Sequence, residues 1–186
     1  MKLSILICSI ESRTGSLNAL LNNLSDQINN PEEIQILVEQ DNGEMSIGKK
    51  RNKLLKRATG EYLCFVDDDD EVSAYYVKNI LEAIKDKPDC VGIKLDYFVN
   101  GQFKGAANHT IKYNSWKTVH VADGIDFFER TPNHLNPIKS SIARLVKFQE
   151  IDRGEDHAWS CELYQYLKTE VEIETPIYKY KYRTKK

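Results

Sequence analysis

The chain has 186 residues, 41% hydrophobic and 29% charged, with a formal net charge of −2. That balance suits one domain with a real core and excludes a global electrostatic pull toward nucleic acid or membrane. No apolar run approaches the roughly 20 residues that a membrane span needs.

The N-terminal MKLSILICSIESR has the outline of a signal peptide, but its apolar stretch from Leu3 to Ile10 contains serines and lacks a small-residue cleavage site. It reads as a first strand, nearly continuous in apolar residues as a strand covered on both faces would be. SLNALLNNLSDQI follows as a helix, with Leu17, Leu20, Leu21, Leu24 and Ile28 at helical spacing. EIQILVEQ is the second strand, SIGKKRNKLLKRATG the second helix, EYLCFVD the third strand and SAYYVKNILEAIK the third helix. Strand–helix alternation of this kind predicts a parallel sheet with right-handed crossovers and a ligand at the carboxyl ends of the strands. The second half reads as α+β. A hairpin turns at Asn100-Gly101, HTIKYN and KTVHV are short strands, and NHLNPIKSSIARLVKF is a strand entering a short helix. GEDHAWSCELYQYLK is a helix opening on acids, and VEIETPIYKYKYR is a closing strand. The expected organisation is a single domain in two halves, a nucleotide-type α/β half over residues 1–96 and a more irregular α+β half over residues 97–186. The cysteines Cys8, Cys64, Cys90 and Cys161 show no paired spacing, which predicts reduced thiols in a cytoplasmic protein.

Three stretches carry chemistry. YLCFVDDDDEV runs an apolar strand into Asp67, Asp68, Asp69 and Asp70. In an extended segment Asp67 and Asp69 would share one face and Asp68 and Asp70 the other. Carboxylates this close call for a cation, and two same-face aspartates suit Mg²⁺ or Mn²⁺, which fills its remaining positions with water and phosphate oxygens. Capping of the third helix is the structural alternative and accounts for Asp70 and Glu71. GEMSIGKK matches a phosphate-binding loop except that Lys50 stands where a Ser or Thr would hold Mg²⁺, so a nucleoside triphosphatase is a rival reading. A metal-dependent phosphatase or nuclease built on the aspartates is a second. In GEDHAWS, Glu155 and Asp156 open a helix, as capping acids or as a general base.

Together GEYLCFVDDDDEV, SIGKKRN with ATGEY, and GEDHAWS resemble the family 2 glycosyltransferases of GT-A fold, over the chain from Leu3 to about Leu163. The resemblance implies an α/β fold of GT-A type and an inverting transfer of sugar from a nucleotide-diphosphate sugar, a UDP-sugar foremost. It also implies a Mn²⁺ or Mg²⁺ ion and an acceptor glycan or other hydroxyl compound. Carried over, Asp69 contacts the metal, with Asp67 also at the metal and nearer the ribose, and Asp68 lies beside them at the cofactor. Asp41 contacts the base, Arg51 the base or diphosphate, and Gly48 lies in the same segment. Asp156 is the catalytic base, supported by Glu155. His157 and His134 are candidate later metal ligands. The first strand ends in CSIESR where the family has a Pro and a Tyr, so Ser9 and Glu11 stand in for the base pocket. Nucleic acid as acceptor is disfavoured by the absence of a strongly basic surface.

Overall fold

The computed structural model describes residues 1–184. The apolar octet becomes strand β1 (Leu3–Ile10), buried along all but its last residue. A short 3-10 turn (Glu11–Arg13) leads into helix α1 (Thr14–Asp26), followed by β2 (Ile34–Asp41), α2 (Ile47–Arg57) and β3 (Tyr62–Phe65). β2 and β3 lie on either side of β1, both parallel to it, as the strand–helix alternation requires. The two faces of β1 feed two layers of core. Leu3, Ile5 and Ile7 pack with Leu17, Leu20 and Leu24 of α1, while Leu6 and Cys8 pack with Leu54 and Leu55 of α2.

Beyond β3 come β4 (Glu71–Val72), α3 (Tyr76–Ala83), β5 (Cys90–Val99) and β6 (Gln102–His109), then β7 (Lys117–Ala122) and β8 (Ile125–Arg130). The chain ends through β9 (Ile138–Lys139), α4 (Ser140–Ala143), α5 (Glu155–Leu163) and β10 (Glu170–Tyr182). All ten strands join one sheet, ordered β2-β1-β3-β9-β5-β6-β8-β7, with β10 beside β5 and β4. The hairpin at Asn100-Gly101 forms as expected between β5 and β6. The second half departs from the sequence reading at three places. HTIKYN is not a strand, because β6 ends at His109 and the chain turns. Ile125–Arg130 is a strand, paired parallel to β6. β10 lies parallel to β5 and antiparallel to β4. These pairings join segments far apart in the chain, and no local period announces them.

Two features fix the packing around the sheet. Trp159 of α5 is 1% exposed, stacks on Phe148 with centroids 4.6 Å apart, and donates to the Val146 carbonyl at 3.1 Å. Gly60 lets the turn into β3 pass against β1. A Cβ there would stand 2.5 Å from the Ser4 nitrogen and 2.7 Å from the Leu3 carbonyl carbon. Both neighbours are backbone of a buried strand and cannot give way. Gly60→Ala is therefore expected to destabilise the chain by about 1–3 kcal/mol, the usual cost of overpacking, seen as a lower urea midpoint at unchanged slope.

Candidate active site

The aspartate run does not continue β3 as extended chain. It turns after Val66, with the Asp70 amide donating to the Asp67 carbonyl at 3.2 Å. Even on a turn the four carboxyls divide two and two as expected, Asp68 and Asp70 into the protein and Asp67 and Asp69 toward open surface. Asp68, 3% exposed, accepts from Ser9 Oγ at 2.7 Å and from Arg13 Nη1 at 2.9 Å. Asp70, 5% exposed, accepts from Tyr178 Oη at 2.8 Å and from the Lys181 amide at 2.7 Å, and burial pushes its carboxyl up to about 8. Asp68 and Asp70 are thus staples to β1 and β10. Asp67 and Asp69 keep partly open surfaces.

Asp67 meets a buried guanidinium. Arg51 of α2 bonds Asp67 Oδ1 through Nη2 at 3.2 Å and Glu155 Oε1 through Nε at 3.2 Å. Its plane lies 4.9 Å from the Phe65 ring and 5.6 Å from Phe148. Burial alone would lower the Arg51 pKa, but Asp67 and the other acids around it more than offset this and the group stays charged. Burial likewise pushes Asp67 upward, and the nearby His134 ring and Arg51 guanidinium outweigh it, so its carboxyl is held below the usual range. Arg51 is 2% exposed and lines the floor of the cleft, where its side chain is paired with two carboxylates. It acts by fixing two carboxylates.

His134 stands between the two acidic centres. Its Nε2 lies 3.5 Å from Asp67 Oδ2 and its Nδ1 3.8 Å from Asp156 Oδ2, and neither nitrogen makes a hydrogen bond. Asn133 and Asn136 shape the turn that presents it. The Asn136 side chain accepts from the Asn133 amide at 2.9 Å and donates to the carbonyls of Val91 and His109. His109 beneath is fully buried and bonded to Asn133, and burial depresses it to about 3, so it is neutral. Neither asparagine nor His109 carried a sequence signal.

Two hollows open here. The larger, about 890 Å³, is lined by Asp67, His134, Glu155 and Asp156 and extends over β5, β8 and β10. The smaller, about 350 Å³, is lined by Ser9, Arg13, Lys50, Asp67, Asp68 and Asp69. Ile47, Asp67 and Asp152 line both. Ser9, Asp67, Asp68, Asp69, His134, Glu155 and Asp156 are thus brought together. Four expected residues are not. Asp41 accepts from the amides of Gly43 and Met45 and from the Lys50 ammonium, which holds it at about 2 and turns it into its own loop. Gly48 packs under the backbone of Gln149. Glu11 is exposed on the 3-10 turn, outside the residues that line either hollow. His157 points its ring at Trp116, 4.7 Å between centroids, beside Cys161 and away from the aspartates. The phosphate-loop reading fails for a related reason. α2 begins at Ile47, so Gly48 is helical, and the Lys50 ammonium is buried on Asp41 and the Ser9 carbonyl. Arg13, which the sequence did not single out, is the half-exposed cation of the smaller hollow.

Among the described residues no group of three His, Cys, Asp or Glu is arranged to hold a metal by itself. Asp67 and Asp69 nonetheless fit a hard cation that draws its other ligands from a diphosphate. They are two oxygen donors on one turn, partly open, with unbonded His134 nitrogens alongside.

A parallel β2-β1-β3 unit with acidic residues at its carboxyl edge, continued by a mixed sheet, is the GT-A arrangement. The family model for glycosyl transferase family 2 matches residues 6–151, and the chain belongs to that family. No curated protein sequence matches it. Among solved structures, S. aureus TarS 1–349 in complex with UDP-GlcNAc superposes at a TM-score of 0.76 and 20% identity, over 100% of this chain and 60% of that one. The same fragment with UDP gives 0.76 and 20%, over 97% and 60%. A longer S. aureus TarS structure gives 0.72 and 17%, over 97% and 37%. This chain therefore spans about three fifths of the 1–349 fragment it resembles. At these identities the likeness is one of fold.

Removing the cation between the acidic centres should be costly, since it leaves Glu155 buried and unpaired. Arg51→Met is expected to lose about 3–5 kcal/mol in urea denaturation, and adding Glu155→Gln to that variant should recover a substantial part.

Proposed function

We propose that the chain transfers a sugar from a nucleotide-diphosphate sugar, a UDP-sugar foremost, to an acceptor hydroxyl, with inversion at the anomeric carbon. The observation that carries the reading is the buried Arg51. It holds the acidic turn after β3 and the first turn of α5 at one cleft, so that Asp67 and Asp156 face each other across His134. Family membership and the likeness to TarS structures holding UDP-GlcNAc or UDP support it. In this reading the smaller hollow takes the nucleotide and the larger takes the sugar and acceptor, so residues 1–96 serve mainly the donor nucleotide and residues 97–186 the sugar and acceptor.

Asp156 accepts the proton of the acceptor hydroxyl as that oxygen bonds to the anomeric carbon. The bond from that carbon to the diphosphate oxygen breaks, and its electron pair leaves on the diphosphate. Attack from the face opposite the leaving group gives inversion. Glu155, fixed by Arg51, keeps the first turn of α5 in place beneath Asp156. Arg13 is the accessible guanidinium for the diphosphate. Asp67 and Asp69, with His134 alongside, would hold a Mn²⁺ or Mg²⁺ ion, which supplies Lewis-acid neutralisation of charge on the leaving group. A two-metal nuclease or phosphatase is less well served. Such sites gather carboxylates around ions about 3.5–4 Å apart, and here Asp68 and Asp70 are consumed inside the protein.

Asp156→Asn should lower transfer from UDP-sugar by about 10²-fold or more while UDP affinity stays within about twofold, read by product formation and calorimetry on one preparation. Asp69→Asn should do the converse. Its UDP affinity in Mn²⁺ should fall to the value measured in EDTA; an unchanged response to Mn²⁺ would remove Asp69 from the ion's ligands.

A further inference from the structure

The larger hollow has a side that the transfer chemistry does not use. Strand alternation turns Tyr97 of β5, Phe128 of β8 and Tyr180 of β10 toward it. Register sets Tyr180 beside Tyr97, and Tyr97 beside Gly105 of β6. Tyr97 and Tyr180 stack with centroids 5.3 Å apart at 10°, and Tyr97 meets Phe128 at 4.6 Å. Between these rings β6 contributes only small groups, Gly105 and Ala107. Gly105 has φ +148°, and a Cβ on it would stand 1.8 Å from the Asp126 carbonyl oxygen. The result is a trough with an aromatic wall and a floor kept low by the backbone.

Charge at this trough is one-sided. Arg130 is half-buried, its guanidinium 5.1 Å from the rings of both Trp116 and Phe128, with Nη1 donating to the carbonyls of Lys117 and Glu129. Arg153 and Arg183 line the same hollow. Among the described residues none of the three has a carboxylate within 4.0 Å, whereas Arg13, Arg51 and Arg57 all do. The acids that line the hollow are Asp67, Asp152, Glu155 and Asp156, and of these Asp67 and Glu155 are paired with Arg51. A partly desolvated cation without a counter-ion is costly, and burial lowers the Arg130 pKa accordingly. Trp116 ties this cationic rim to the catalytic one, because its ring also contacts His157, the neighbour of Asp156.

We propose that the trough is the acceptor subsite and that it takes a sugar or polyol bearing an anionic group, phosphate or carboxylate. The ring lies on the Tyr97–Tyr180 wall and the anion on Arg130. Guanidinium groups match either anion with paired N–H donors, and aromatic faces suit the apolar face of a sugar ring. The proposal rests on the transferase reading and deepens it.

The test uses the chain with UDP and Mn²⁺ present, so that the donor side is occupied. Methyl glucoside, its 6-phosphate and methyl glucuronide are titrated separately and followed by calorimetry. At least one anionic compound should bind tenfold or more tightly than the neutral one, and which of the two it is tells phosphate from carboxylate. Arg130→Gln should erase that preference without changing UDP affinity. On the unaltered chain the preference should shrink as NaCl rises, which keeps the test sound if the variant folds poorly. Equal binding of all three, binding of none, or a preference untouched by both Arg130→Gln and salt overturns the proposal. If UDP binds in those samples, only the acceptor assignment falls; if UDP does not bind, the transferase reading falls with it.

Discussion

A guanidinium removed from water must be answered by carboxylates, and Arg51 is answered by two that lie 16 and 104 residues away in the chain. That single ion triad joins the acidic turn after β3 to the start of α5. Phe65 and Phe148 cover it, so the pairing acts in a poorly screened interior. With the two carboxylates fixed, the open groups beside them, Asp69, His134 and Asp156, inherit defined positions. The cleft is therefore organised from below by a residue that is only 2% exposed.

The four consecutive aspartates show the same division of labour. Asp68 and Asp70 are turned inward, each satisfied by two donors, and they anchor the turn to β1 and β10. Their neighbours are left toward the cleft. Four carboxyls in a row are tolerable because the fold satisfies each: Arg51 for Asp67, Ser9 and Arg13 for Asp68, Arg13 again for Asp69, and Tyr178 for Asp70, whose proton burial helps retain. The asymmetry between staples and open ligands is a property of the turn.

The sheet then extends the cleft in a second direction. β5, β6, β8 and β10 carry it past the acidic edge and onto an aromatic and cationic surface. Among the described residues the face of the mixed sheet provides the second wall.

Much of the first half was readable from local pattern. Apolar runs and 3.6-residue spacing located β1 through α3, the hairpin at Asn100-Gly101 announced itself, and the acids at the end of β3 and the start of α5 stood at the places where open α/β sheets bind ligands. Other assignments were made by segment and failed by side chain. Asp41 belongs to its own loop, Gly48 to a helix contact, and His157 to Trp116. Hydrophobic period, capping and turn chemistry act over a few residues, and the amino-acid sequence by itself determined what depends on them: the order of the first three long strands and helices, the class of fold and the two acidic centres. The tertiary structure alone decided which carboxylates are spent inside, that His134 lies between Asp67 and Asp156, and that Arg130 faces the cleft without a counter-ion. Those outcomes depend on which distant strands come to lie side by side, and an ion pair across that distance leaves no period in the chain.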